Sequence, residues 1–163
     1  MLRRAALLLL LAAGTAGCGF TPLYGDVLGV APALSAVDVE APGTRMGQLL
    51  REELDDELAA SGGAPARYRL VLNVDERRYA RGLRVDDTAS RYETRVGVTY
   101  QLTDAVSRRV LTRNRRTVYV TYDVADAPYA GIAASQDGQE RAASEAARII
   151  RTDLARFFAG RAP

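Results

Sequence analysis

The sequence contains no histidine and no lysine, and Cys18 is the one cysteine among its 163 residues. Without histidine the chain cannot form a Ser-His-Asp or Cys-His catalytic arrangement. Zinc and haem sites are excluded on the same composition, because they need histidine or several cysteine ligands. The absence of lysine excludes a lysine-containing phosphate loop and a Schiff base. We therefore expect no enzymatic activity, no cofactor and no metal.

Long hydrophobic runs are also scarce, and the longest lies at the N-terminus. The basic start Met1-Leu2-Arg3-Arg4 is followed by an apolar run over 5–13, which is too short to stay in a bilayer as a spanning helix. Small residues over 14–17 complete the pattern of a secretory signal peptide. The sequence therefore predicts a signal peptide over residues 1–17.

Cys18 comes directly after this predicted cleavage site. The run Thr15-Ala16-Gly17-Cys18 resembles the lipobox of bacterial lipoproteins, although Thr15 stands where an aliphatic residue is usual. The resemblance implies that Cys18 is acylated and holds the mature chain on a membrane. The alternative is an ordinary signal peptide followed by a chance cysteine. A lone free thiol would be a liability in an exported protein, since it can oxidise or pair wrongly.

The remaining length, about 146 residues, is enough for one domain with a hydrophobic core. Residues 18–32 contain Pro22, Gly25, Gly29 and Pro32 and are predicted to form an irregular, lipidated tether. We place a single domain over 33–160.

Hydrophobic periodicity predicts two helices. Apolar residues recur at helical spacing from Met46 to Leu58, after a Thr44 that can cap the helix and before glycines that end it. A second stripe runs from Ala142 to Phe158, in a helix capped by Ser135 and ending near 159.

Alternation of apolar and polar residues predicts four strands, over 34–40, 67–74, 91–102 and 110–122. The charged segment 77–87 is predicted to be a loop or an irregular strand end. The last three strands follow one another through short links and should form an antiparallel meander. The predicted fold is α+β, in the order β-α-β-β-β-α, with a four-stranded, mostly antiparallel sheet and two helices packed on one face.

Positive charge is concentrated in the predicted sheet. Residues 67–116 hold thirteen arginines against six carboxylates, an excess of +7, whereas arginines and carboxylates are equal in number over the mature chain. Six of these arginines alternate along the strands, opposite the apolar positions, and so should share one face: Arg67, Arg69, Arg91, Arg95, Arg113 and Arg115.

Arginine forks bind phosphate and carboxylate oxygens, so this face is a candidate site for anionic lipid or an acidic partner protein. The alternative is a merely solvated face in a chain that uses arginine in place of lysine. Nucleic acid is not expected as a partner, because export takes the protein away from it.

The segment Cys18-Gly19-Phe20-Thr21-Pro22-Leu23-Tyr24-Gly25 resembles the start of the lipopolysaccharide-assembly lipoproteins, the LptE family, in their alphaproteobacterial form. The order of elements and the C-terminal run Asp153-Leu154-Ala155-Arg156-Phe157-Phe158 also match that family's layout.

The resemblance implies an outer-membrane lipoprotein that faces the periplasm, is held by N-terminal acyl chains and has no enzymatic activity. It would plug and help assemble the LptD β-barrel and assist lipopolysaccharide transport to the outer leaflet. Two alternatives remain: another envelope lipoprotein, such as an accessory subunit of the outer-membrane protein assembly machine, and a small lipoprotein hydrolase.

Overall fold

A computed structural model describes residues 30–58, 66–83, 89–124 and 129–161. The predicted signal peptide, Cys18 and the tether up to residue 29 lie outside these ranges. The helices are α1 (Val30–Ser35), α2 (Arg45–Glu57) and α3 (Ala130–Ala159). The strands are β1 (Val37–Glu40), β2 (Tyr68–Leu83), β3 (Ala89–Asp104) and β4 (Val110–Asp123).

The four strands form one sheet in the order β1-β2-β3-β4. β1 runs parallel to β2, because α2 carries the chain back between them, and the β2–β3 and β3–β4 pairs are antiparallel. The α+β fold with a four-stranded, mostly antiparallel sheet is confirmed. The described part of the chain adds α1 to the predicted order of elements.

α2 and α3 pack against one face of the sheet, α1 packs against α3, and the core lies between the layers. Met46, Leu50, Leu54 and Leu58 of the predicted α2 stripe are buried. Thr44 caps that helix as predicted, accepting a hydrogen bond from the Gly47 N–H at 3.1 Å. The α3 stripe is buried at Ala142, Ala143, Ala146, Ile150, Leu154 and Phe158, and the sheet contributes alternate residues such as Leu70, Leu72, Val96, Val98 and Leu102.

Three boundaries differ from the predictions. Residues 34 and 35 belong to α1, because Val30 and Leu34 are four residues apart and both are buried at helical spacing. β2 extends past 74 to Leu83, with register shifts near Gly82, so the described part of segment 77–87 is the irregular strand end and not the loop, and residues 84–87 lie outside the described ranges. α3 begins at Ala130 instead of after Ser135, and its N-cap residue Tyr129 makes no side-chain capping bond.

A glycine sets how closely α3 approaches β4. A Cβ atom at Gly138 would lie 2.9 Å from the Cδ1 atom of Tyr122, closer than real side chains allow. The helix therefore rests directly on the tyrosine ring.

Candidate functional site

None of the described helices packs on the second face of the sheet, and we call this face the open face. Residues directly opposite each other in neighbouring strands share a face. Register places Arg95 between Arg77 and Tyr119, and Thr99 between Asn73 and Arg115. Five of the six arginines predicted to form the site lie on this face.

The sixth, Arg67, lies just before β2, and its guanidinium stands 5.7 Å from the centre of the Tyr68 ring. That ring contacts Phe158 on the helix side of the sheet. Arg67 is therefore separated from the other five.

Two of the five arginines have acidic partners. Arg69 lies 4.0 Å from an Asp38 carboxylate oxygen and 3.9 Å from one of Glu40, both on β1. Arg91 donates from Nε to Asp123 Oδ1 at 2.7 Å, and this hydrogen bond lowers the pKa of Asp123. Both arginines are exposed, and their three carboxylate partners leave no net positive charge at these two positions.

The remaining three, Arg95, Arg113 and Arg115, we call the arginine cluster. Among the described residues none of them forms an ion pair with a carboxylate. Arg113 donates from both Nε and Nη2 to the Gln101 side-chain oxygen, a neutral partner. Arg95 Nε is buried and has no hydrogen-bond partner within the described ranges. Positive charge on the open face is therefore concentrated on β3 and β4.

Gly97 makes room for one member of the cluster. A Cβ atom at Gly97 would lie 3.1 Å from Arg115 Nη2, so the guanidinium lies across the backbone of β3. A larger residue would push Arg115 away from the sheet. The alternating sequence pattern did not distinguish this glycine from any other outward position.

The sequence excess of +7 overstates the charge of the open face. Acidic residues also point outward, and among them are Asp38, Glu40, Asp75, Glu93 and Asp123. Arg116, which contributes to the excess, lies on the helix side, where Nε and Nη2 bond to Asp153 at 2.6 and 2.8 Å. Which arginines have partners depends on cross-strand neighbours, which composition does not give.

A hollow of about 220 Å³ adjoins the cluster. On the open face its lining includes Val71, Asn73, Thr99, Gln101 and Arg113. Val71 is exposed there, so an apolar surface lies beside an arginine and neutral polar groups. The combination suits a ligand that joins an anionic group to an apolar one.

A larger cavity, of about 410 Å³, lies between the start of α3 and the ends of β2, β3 and β4. Tyr92, Tyr122 and Ile132 line its apolar part. Arg45 and Arg78 add positive charge, and the Arg78 guanidinium lies 4.8 Å from the centre of the Tyr92 ring. Sequence reasoning missed this cavity, because its lining comes from five separate elements.

The model of the lipopolysaccharide-assembly family LptE matches residues 33–155, most of the chain. This protein belongs to the LptE family. Its alphaproteobacterial resemblance is confirmed by a candidate lipoprotein of Caulobacter crescentus CB15, whose crystal structure superposes with a TM-score of 0.73. That protein is 52% identical, and the match covers 83% of this chain and 98% of the other.

Two more distant solved structures share the fold of this LptE-family protein. A minor lipoprotein from Acinetobacter baumannii is 18% identical with a TM-score of 0.57, over 74% of this chain and 90% of its own. Rare lipoprotein B from Shewanella oneidensis is 17% identical with a TM-score of 0.50, and the match covers 74% of this chain and 92% of the other. No curated protein sequence matches the chain.

Within the part of this LptE-family chain that the structure describes, no group of three or more acidic, histidine or cysteine side chains could hold a metal ion. None of the described helices combines the length and the apolar character needed to cross a bilayer.

Proposed function

We propose that this LptE-family protein is a non-enzymatic outer-membrane lipoprotein that plugs and helps assemble an LptD-like β-barrel and assists lipopolysaccharide transport to the outer leaflet. Membership of the lipopolysaccharide-assembly family is the observation that carries the proposal. The arginine cluster supplies the chemistry that such a role needs.

The proposed anchor is Cys18, acylated after removal of residues 1–17. Each acyl CH2 group that enters the bilayer contributes about 0.8 kcal/mol, so two or three chains hold a protein stably. The short segment between Cys18 and Val30 keeps the folded domain close to the membrane, on its periplasmic side.

A role as a plug is supported by the distribution of polar groups. The lumen of an outer-membrane barrel is polar. The domain has a buried apolar core and an open face of charged and hydroxyl side chains, including Thr117, Tyr119 and Thr121, with the arginine cluster beside them. Such a surface can lie against a polar wall without burying unpaired apolar area.

The proposed contact with lipopolysaccharide uses Arg95, Arg113 and Arg115. Lipopolysaccharide carries phosphates and acidic sugars, and arginine binds such oxygens through two parallel hydrogen bonds. Among the described residues no carboxylate competes for these three side chains. The paired Arg69 and Arg91, and the separated Arg67, contribute less in this proposal.

An affinity pull-down tests the proposal. The full chain, tagged at its C-terminus, is recovered from detergent-solubilised membranes of its own host, and untagged membranes provide the background. We expect an LptD-like barrel to co-purify in a fixed ratio with bound lipopolysaccharide. Recovery of the barrel of the outer-membrane protein assembly machine instead would overturn the proposal and favour the alternative role as an accessory subunit.

A further inference from the structure

Within the part of the chain that the structure describes, no strand pairs with the outer edge of β4. β4 is the last strand of the sheet order and extends over fourteen residues. Its pairing with β3 is regular from Thr112 to Asp123, with no bulge in that stretch. The sequence contains no proline between Val110 and Asp123 to interrupt the edge.

Three hydrogen bonds establish which backbone groups point outward. The Arg115 N–H donates to the side chain of Asn114 at 3.0 Å and so does not pair with β3. The Thr121 carbonyl accepts from Arg141 Nη2 at 3.5 Å, also away from β3. The Val124 N–H, by contrast, donates to Ser90 on β3.

In an antiparallel strand the N–H and C=O groups of one residue point to the same side, and the side alternates along the chain. Odd-numbered residues of β4 therefore direct their backbone groups outward. Arg115 and Thr121 have partners at one group each. Within the described ranges no side chain bonds to the backbone of Thr117 or Tyr119, which lie between them.

This window runs from the Arg115 carbonyl to the Thr121 N–H. Edge strands are commonly protected by proline, bulges or a covering element, because free backbone groups recruit other strands. Here Tyr119 lies in the window with 60% of its surface exposed. The protection that is present is positive charge from Arg113 and Arg115, which repels basic strands and attracts acidic ones.

We propose that the edge of β4 between Arg115 and Thr121 accepts an extended acidic segment of a partner protein as a fifth strand. Backbone hydrogen bonds would provide affinity, as in other cases of strand addition. Carboxylates at alternate positions would lie beside Arg113 and Arg115 on the open face. The segment would share Arg113 and Arg115 with the proposed lipopolysaccharide contact, whereas its backbone hydrogen bonds need neither lipopolysaccharide nor a particular barrel.

Charge selects this occupant over a second copy of the chain. In an antiparallel pair of two β4 edges centred on this window, Arg115 of one copy would lie opposite Thr121 of the other and Arg113 opposite Asp123, whose carboxylate already binds Arg91. A second copy therefore offers neither arginine an unpaired carboxylate. An acidic segment meets the same arginines with opposite charge. Self-association is therefore an outcome that the experiment must distinguish.

The test uses the full chain in non-ionic detergent and a fluorescent peptide of about eight residues, a common strand length, with glutamate alternating with valine. A peptide with lysine in place of glutamate is the matched probe. We expect saturable binding of the acidic peptide alone. Hydrogen exchange at the Thr117 and Tyr119 amides should slow on binding, a readout that needs no variant.

Thr117→Pro removes one outward N–H and leaves the ladder to β3 intact, because even-numbered residues form that ladder. We expect roughly tenfold or greater loss of peptide affinity. Thr117→Val keeps the N–H and should bind like the parent. Unchanged binding by a folded Thr117→Pro protein, unchanged exchange at both amides, or a dimer dispersed by Thr117→Pro would each overturn the proposal.

Discussion

Arg116 on β4 and Asp153 on α3 join the edge of the sheet to the C-terminal helix through two hydrogen bonds, 2.6 Å from Nε and 2.8 Å from Nη2. The Tyr100 hydroxyl donates to the same carboxylate at 2.6 Å. The Asp153 side chain is 11% exposed and that of Arg116 is 40% exposed, so the carboxylate is largely shielded from water and the guanidinium is only partly so. Burial and the hydrogen bond to Asp153 raise the pKa of Tyr100.

Asp153→Ala should destabilise the domain by about 1.5–3 kcal/mol, the usual contribution of hydrogen bonds to a charged group. It leaves Arg116 and the Tyr100 hydroxyl without their acceptor. Asp137→Ala is the control, because Asp137 pairs with Arg141 on an exposed face of α3 and should cost under about 0.5 kcal/mol. Urea titration followed by circular dichroism measures both. Equal midpoints for the two variants would contradict the assigned role of Asp153.

The same carboxylate should make stability depend on acid pH. Burial raises the pKa of Asp153, but hydrogen bonds from Arg116 and Tyr100 outweigh it and leave the pKa below its ordinary value. In the unfolded chain the pKa of an aspartate is about 3.9. As pH falls, the unfolded state therefore binds this proton before the folded state does. The stabilisation is complete above that value and is lost as pH falls through the folded pKa.

The stability difference between the parent and Asp153→Asn should therefore narrow between about pH 5 and pH 2. Denaturant titrations at several pH values measure this difference. A difference in unfolding free energy that stays constant over that range would show that Asp153 has the same pKa in the folded and unfolded states.

Leu54→Ala and Ile150→Ala should each cost about 2–5 kcal/mol, because each leaves a cavity in the core. Both side chains have no exposed surface. Val106→Ala is the matched control, since Val106 is 92% exposed in the hairpin between β3 and β4. Thermal and urea unfolding measure the losses. Core variants as stable as Val106→Ala would mean that the helix faces are assigned wrongly.

Cys18→Ala should give an exported protein that a mild salt wash releases from membranes, because the proposed acyl chains are lost. Cys18 lies outside the described residues, so this prediction rests on the sequence. Fractionation and immunoblotting of parent and variant check it. If the variant stays wholly in the washed membrane pellet, docking into a barrel is the stronger attachment.

Arg113→Glu/Arg115→Glu should reduce lipopolysaccharide binding and co-purification of the barrel, because it reverses charge in the arginine cluster. The matched control is Arg69→Glu/Arg91→Glu, which changes arginines that already have carboxylate partners. Effects on stability should be small, since the altered residues are exposed. Binding is measured with purified lipopolysaccharide. Equal losses in both double variants would mean that general charge, and not the cluster, drives binding.

Arg→Lys changes at the cluster separate fork geometry from charge. Lysine keeps the positive charge but offers one compact ammonium group, so Arg113→Lys/Arg115→Lys should bind more weakly than the parent and better than the glutamate variant. If the glutamate variant binds lipopolysaccharide as well as the parent does, these arginines are only a solvated surface and do not contact the ligand.

Local periodicity was enough to determine most elements from the sequence. The apolar residues from Met46 to Leu58 recur at helical spacing, and those from Tyr92 to Leu102 alternate as in a strand. Each set lies on one face of its own element, so the spacing alone predicted helix and strand. The predicted signal peptide, the proposed acylation of Cys18 and the family resemblance also depend on consecutive residues.

Only the tertiary structure decided which arginines are free to bind. Arg91 and Asp123 are thirty-two residues apart, and Arg116 and Asp153 are thirty-seven apart, so strand register and helix packing bring them together. Arg113 and Arg115 follow the same alternation as Arg91 but meet no carboxylate in the described residues. Composition fixes how many charges there are, whereas register fixes which of them neutralise each other, because ion pairing depends on distances of a few ångströms.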